Sequence, residues 1–429
     1  MNVLSAVKLF YIFYSIYTLF VMSVSKNYQL AHVFCGLIAM WIIFLLFFIG
    51  FSTIKNNKKH LVKPENVSIP YFCDVYNWKG RTYIFQIIVC WLCSVLSARF
   101  YTGLNPLQVI GHIMAGDSLY AMYQKYFNEM GIATFSLQKI PYILMMIYLT
   151  VILFFSFLGV FSSGKKLRFK HYLYIVAIAS SYYYFGICRG TNFEMYIIFV
   201  LIAYSLLCGP ISNKLNLAKK NNKVLLVLVF GVIAVMVFRI VLTVRGSKFS
   251  NSICPEIQFN PESFVATVFP AVTNIGLSVF AYLGYGIYTM GVTVYNIIFS
   301  SFENVVSLML PQAYELMNGQ ALSDTLRETI NVGVRWVPDW VNLGGSFGFP
   351  LFFVMIFLLG RFSAKCYSND APHLLNSLVC SIVFLFMLSL PVGNFIFAST
   401  PNVGLVCFVA LWYMQNKYFH KRVRITLRR

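Results

Sequence analysis

Two stretches of this 429-residue chain set an arginine and a glycine side by side where an apolar run ends: "CRGTNF" at 188–193 and "VRGSKF" at 244–249. Both read Arg-Gly-(Ser/Thr)-x-Phe. The guanidinium group is planar, stays charged in any environment and matches a phosphate with two parallel hydrogen bonds. A glycine next to it lets backbone N–H groups come close to an anion. Arg99, Arg189, Arg239 and Arg245 all sit near the ends of apolar runs, and Arg335 lies in a long polar stretch. An arginine in or beside a membrane helix is costly, so its presence points to function. Taken together, the five arginines suggest binding of a phosphorylated lipid head group, such as a polyprenyl pyrophosphate. The competing reading is that each snorkels to the membrane interface or pairs with an acid such as Glu194.

Trp336, Pro338, Asp339, Trp340 and Asn342 follow Arg335 closely. Flat rings, a carboxylate and an amide suit a sugar, whose C–H faces pack on rings while its hydroxyls bond the polar groups. The same tryptophans also suit an interfacial aromatic belt. Transfer to a hydroxyl needs a group that accepts its proton. The candidates are Asp117, Glu194, Asp339 and His112, and none takes priority from the sequence. Cys90 and Cys93 form a CxxC without a second pair, and a zinc site needs about four ligands. There is no Asp-x-Asp near an apolar run, no His-Glu-x-x-His and no phosphate-cradling glycine loop. The expectation is therefore chemistry with no metal and no cofactor, in which arginines stabilise the charge that develops on a leaving pyrophosphate.

What must position these residues is a membrane bundle. The chain is 59% hydrophobic and only 11% charged, too few charges to cover a soluble domain of this size. Apolar runs of roughly 18 to 25 residues recur, each long enough to cross a ~30 Å hydrocarbon core. With no water there to satisfy the backbone, such runs must be helical. The expected spans are 5–24, 31–51, 82–102, 141–162, 172–188, 194–210, 224–244, 346–364, 373–393 and 399–416, within one polytopic all-α domain covering 1–429. The net charge of +20 gathers in short clusters around Lys55–Lys63, Lys165–Lys170 and Lys214–Lys223 and in the tail from Lys417 to Arg429. These fit cytoplasmic loops under the positive-inside rule and can also meet anionic lipid. No nucleic-acid-binding module accompanies them. Both termini are then cytoplasmic, and the loops 103–140, 245–263 and 301–345 lie outside with most of the acids.

Between two outer loops, 264–300 must cross an even number of times. Pro270, Asn274, Gly276, Gly284, Gly286, Gly291 and Asn296 interrupt it. It supplies either two short spans, for 12 in all, or a dip and return, for 10. A broken hairpin facing a cavity is the expected form. Within 103–140, Leu119, Met122, Tyr123, Tyr126, Phe127 and Met130 share one face of a helix, expected to lie in the membrane interface. Short helices are expected around Pro311–Gly319 and after Thr325.

The chain resembles the Wzy-type O-antigen polymerases of bacterial inner membranes. The resemblance lies in the whole-chain plan of ten to 12 spans with sizeable outer loops in the second half, in "CRGTNFEMYIIFVLIAY" and "VRGSKF", and in "NLGGSFGFPLFFVMIFLLGR" at 342–361, which is similar to the Gly/Phe-rich entry to a late helix in that family. Some members carry an arginine and a glycine with ten residues between them; here eight and nine residues separate Arg335 from Gly344 and Gly345. The resemblance implies that a growing glycan on undecaprenyl pyrophosphate is transferred to the terminal sugar of a new lipid-linked repeat unit at the periplasmic face. Arg189, Arg245 and Arg239 would hold the pyrophosphate, Arg335, Trp336 and Trp340 the glycan, and Asp339 or Glu194 would be the base. It also implies a chain-length regulator and a flippase as partners beside membrane lipid. The rivals are a flippase for lipid-linked oligosaccharide and an O-antigen ligase. A flippase should show two similar halves and polar groups near mid-membrane. A ligase of that family carries a histidine in its large periplasmic loop, and 301–345 has none.

Overall fold

The computed structural model describes residues 2–26, 29–54, 80–132, 136–162, 168–208, 252–254, 257–300, 309–310, 339–368, 373–392 and 399–426, with scattered positions between 225 and 236 and between 312 and 319. In chain order its helices are α1 (Val3–Ser23), α2 (Leu30–Ser52), α3 (Gly80–Thr102), α4 (Pro106–Ala115), α5 (Leu119–Glu129), α6 (Ile140–Ser162), α7 (Phe169–Arg189), α8 (Phe193–Leu207), α9 (Phe264–Val268), α10 (Pro270–Leu283), α11 (Tyr285–Ser300), α12 (Asp339–Phe347), α13 (Phe349–Ser368), α14 (His373–Ser389) and α15 (Thr400–Thr426). The protein is an all-α membrane protein. Among the described residues, five segments are long and apolar enough to cross a bilayer: Val3–Ser23, Leu30–Ser52, Gly80–Thr102, Leu137–Val160 and Phe349–Cys366. The expected span 224–244 lies outside the described residues apart from isolated positions.

The contacts divide the chain into two compact units. One comprises Met1–Lys59, Ser247–Asn369 and Val383–Ala398; the other comprises His60–Gly246, Asp370–Ile382 and Ser399–Arg429.

In the first unit α2 is the spine. Val33, Gly36, Met40, Ile43, Phe47 and Gly50 repeat at three and four residues and are buried, whereas Phe34, Ile38, Ile42, Leu45 and Ile49 are apolar and exposed. A helix apolar on both sides is built to pack inward on protein and outward on lipid. The inward face uses glycine so that backbones can touch. A Cβ at Gly36 would collide with the Ile287 carbonyl of α11, and one at Gly291 with the His32 carbonyl. Further along α2, Gly50 meets the Phe357 carbonyl of α13, and Gly360 meets Phe47. Both partners run antiparallel to α2, since residue numbers rise along them as they fall along α2. Tyrosines tie α1 in: the buried Tyr11 hydroxyl donates to the Met387 carbonyl at 2.9 Å, and the half-buried Tyr17 hydroxyl to the Gly276 carbonyl.

The interrupted segment 264–300 folds as α9, α10 and α11. The 14 residues of α10 and 16 of α11 meet at Gly284. At 1.5 Å per residue they extend roughly 21 and 24 Å, each less than the ~30 Å core. One feature was not anticipated from the sequence. β1 (Ser25–Lys26), β2 (Ser252–Cys254) and β3 (Ile257–Phe259) form a small antiparallel sheet in the order β1-β3-β2.

The second unit packs α3, α6 and α7 together, with α8 and α15 alongside. Its interior carries hydroxyl bonds of the kind that join helices in membranes. Ser94 donates to the Ser181 carbonyl at 2.6 Å, and Ser156 and Tyr174 share a bond at 2.9 Å. Phe408 and Trp412 of α15 pack on Phe155 of α6, at 5.7 and 5.4 Å between ring centroids.

Candidate functional site

The Arg-Gly motif at 188–193 is the corner between α7 and α8. Gly190 has a φ of 62° and ends α7 in the left-handed region. Its N–H donates to the Ile187 carbonyl, and that of Thr191 to the Gly186 carbonyl, both at 2.9 Å. This is the helix-ending pattern that glycine adopts most readily. The chain re-enters helix at Phe193, placing Glu194 in the first turn of α8, where exposed N–H groups favour an acid. The tight corner folds the two side chains together. Arg189 donates through Nη2 to Glu194 Oε1, and Thr191 donates to Glu194 Oε2 at 2.9 Å. The Glu194 side chain is 2% exposed and that of Arg189 is 20%. Of the readings open for Arg189, the ion pair with Glu194 is the one the structure shows.

Aromatic rings flank the guanidinium. It lies 4.2 Å from the ring centroid of Phe185, one turn earlier on α7, and 5.9 Å from that of Tyr123 on α5. Both distances are within reach of cation–π attraction. Tyr101 of α3 stands beside Phe185 at 5.9 Å. Burial pushes the Tyr123 phenol up, while the charge and hydrogen bond of Arg189 pull it the other way. Four polar atoms at this end of the unit are buried without a hydrogen-bond partner among the described residues: Arg189 Nε, both carboxamide atoms of Asn192, and the Tyr183 hydroxyl. Buried polar groups are normally bonded.

The helix α5 brings Tyr123 here. Part of its apolar face packs on protein, while Met130 at its end is exposed. Leu119 is 3% exposed. A Cβ at Gly190 would come within 2.6 Å of the Tyr120 amide nitrogen, and Gly103 at the end of α3 abuts the Tyr126 ring. On α4, Leu107, Ile110 and Met114 point outward and Val109 inward. Asn105 and Gln108 form a reciprocal capping box at the start of α4, with Pro106 in its first turn. At its end Gly116, with a φ of 76°, turns the chain so that Asp117 folds back and its Oδ2 lies 2.8 Å from His112 Nδ1.

The remaining expected residues are dispersed. Arg99 is exposed in the last turn of α3. Asp339 and Trp340 are both fully buried at the start of α12 in the first unit, so Trp340 has no face open to a sugar. Arg239, Arg245, Arg335 and Trp336 lie outside the described residues. Cys90 and Cys93 are free thiols. Phe185 was not singled out from the sequence, although its spacing of four from Arg189 places the two on one helix face. Asn192 carried no such signal. No protein-family model, no curated protein and no solved structure matches the chain.

Proposed function

We propose that this protein is an O-antigen polymerase of the inner membrane, a glycosyltransferase that moves a glycan from undecaprenyl pyrophosphate onto the terminal sugar of a new lipid-linked repeat unit. The observation that carries this reading is that α5 is laid over the Arg-Gly corner, so that a cation, an amide and tyrosines share one end of a membrane bundle. Such a site suits a ligand that is anionic on one side and a sugar on the other. Arg189, freed from none of its charge, offers Nε–H to a phosphate oxygen. Asn192 supplies an amide to hydroxyls, and Tyr101 and Tyr123 supply rings and phenols.

In this reading Glu194 holds Arg189 in place, because an enclosed carboxylate already bonded by Arg189 and Thr191 has little room to meet an incoming hydroxyl. Both termini are cytoplasmic, and 103–140, 245–263 and 301–345 are periplasmic. Arg239 and Arg245 are proposed to contact the pyrophosphate, and Arg335 and Trp336 the glycan. A chain-length regulator and a flippase act beside it.

The test is genetic. Cells deleted for this gene are expected to make lipopolysaccharide whose core carries a single repeat unit, seen as loss of the ladder on a gel. Complete absence of repeat units from the surface would overturn the reading in favour of a flippase or a ligase.

A further inference from the structure

We infer that His112, oriented by Asp117, accepts the proton of the attacking sugar hydroxyl; the inference rests on the glycosyltransferase reading above. The two carboxylates beside the arginine motifs are enclosed, Glu194 at 2% and Asp339 at 0% exposure. The His112–Asp117 pair is open, with side chains 32% and 51% exposed. Its geometry is built by the chain itself. The last turn of α4 carries His112, Gly116 reverses the backbone, and the Asp117 N–H donates to the His112 carbonyl at 3.0 Å. The carboxylate therefore meets Nδ1 at 2.8 Å, while Nε2 has no hydrogen-bond partner among the described residues. A carboxylate on one ring nitrogen fixes the tautomer and leaves the other nitrogen as acceptor, and it stabilises the imidazolium that forms.

The dyad is tethered to the Arg-Gly corner. Asp117 precedes Tyr120 by three residues, and the Tyr120 backbone rests on Gly190. Three Cα–Cα steps span at most about 11 Å. The step balances. The acceptor oxygen bonds to the anomeric carbon and its proton passes to His112 Nε2. The bond from that carbon to the pyrophosphate oxygen breaks, and its electron pair leaves with the pyrophosphate beside Arg189. The proton then passes to water, returning neutral histidine. Asp117 is a positioning residue. The titratable groups on α5, which packs on α4, are Tyr120, Tyr123, Tyr126, Lys125 and Glu129, and the last two of these pair with each other at 3.9 Å.

The experiment uses membranes containing the full chain and, as probe, lipid-linked repeat units extracted from the deletion strain. Polymer formation is followed from about pH 5 to about pH 8, across the range where histidine changes charge. The wild-type rate is expected to fall on acidification. His112→Gln should lower the rate about 100-fold, the scale of general-base catalysis, and its residual rate should no longer fall in acid. Asp117→Asn should lower the rate about tenfold, with membrane levels of both variants unchanged. If His112→Gln polymerises at the wild-type rate with the same acid fall, the proposal is overturned and the polymerase reading stands. A loss in His112→Gln that keeps the wild-type acid fall also overturns it, because it assigns His112 a structural role. Failure of the deletion strain to collapse to a single repeat unit overturns both.

Discussion

Gly190 and Tyr120 touch through their backbones, the α7–α8 corner against the first turn of α5. A Cβ at Gly190 would lie 2.6 Å from the Tyr120 amide nitrogen and 2.9 Å from its Cα, and Gly190 also holds a φ of 62°. Left-handed backbone costs a residue with a side chain about 1–2 kcal/mol, and here the neighbour is backbone that cannot rotate away. Gly190→Ala is expected to displace α5 and abolish polymer formation. Gly116→Ala, strained in φ but with open space around it, should lose only about 1 kcal/mol and retain part of the activity. Gel ladders and thermal unfolding in detergent, run on both variants, check this.

The Arg189–Glu194 pair makes a second prediction. Removing one partner of a buried pair leaves an uncompensated charge, at about 3–5 kcal/mol. Arg189→Ala and Glu194→Ala should each destabilise on that scale. The double variant Arg189→Ala with Glu194→Ala should lose much less than the sum, so the coupling in a double-mutant cycle is the measurement. Arg189→Lys keeps the charge without the planar fork, and is expected to keep most of the stability while losing at least tenfold in polymer formation.

In the first unit, the glycines on α2 are contact points rather than flexible sites. Gly36→Ala and Gly50→Ala would each drive a methyl into a facing carbonyl. Overpacking of this kind costs about 1–3 kcal/mol or more, and the melting temperature in detergent should fall accordingly. Gly111→Ala, with nothing near its Cβ position, is the control, expected to be neutral or to stabilise α4 by up to about 1 kcal/mol.

The capping box of α4 gives a fourth test. Asn105 and Gln108 bond each other's backbone N–H at 2.9 Å. Asn105→Ala should cost about 1 kcal/mol and raise amide exchange across 106–117 without altering exchange in α3 or α7.

Much of this was readable in advance, for a local reason. A bilayer offers the backbone no partner, so an apolar run of sufficient length must be helical wherever it occurs, and α1, α2, α3, α6 and α13 follow directly from it. The break at Gly284 and the amphipathic stretch beginning at Leu119 were visible in the same way, as were the Arg-Gly motif and the acid five residues after its arginine. The partner of each face was not visible. Periodicity says that Leu119 and Tyr123 share a side of α5, but only the fold shows that α5 packs on α3 and α7. On α4 the side chains of Leu107, Ile110 and Met114 stay exposed, and the turn at Gly116 makes a dyad of His112 and Asp117. Composition reports only how much polar surface a chain carries. Whether Glu194 is a free base or the enclosed partner of Arg189, and whether Trp340 is a platform or part of a core, depends on which residues the tertiary fold brings within a few ångströms, where burial and short-range electrostatics act.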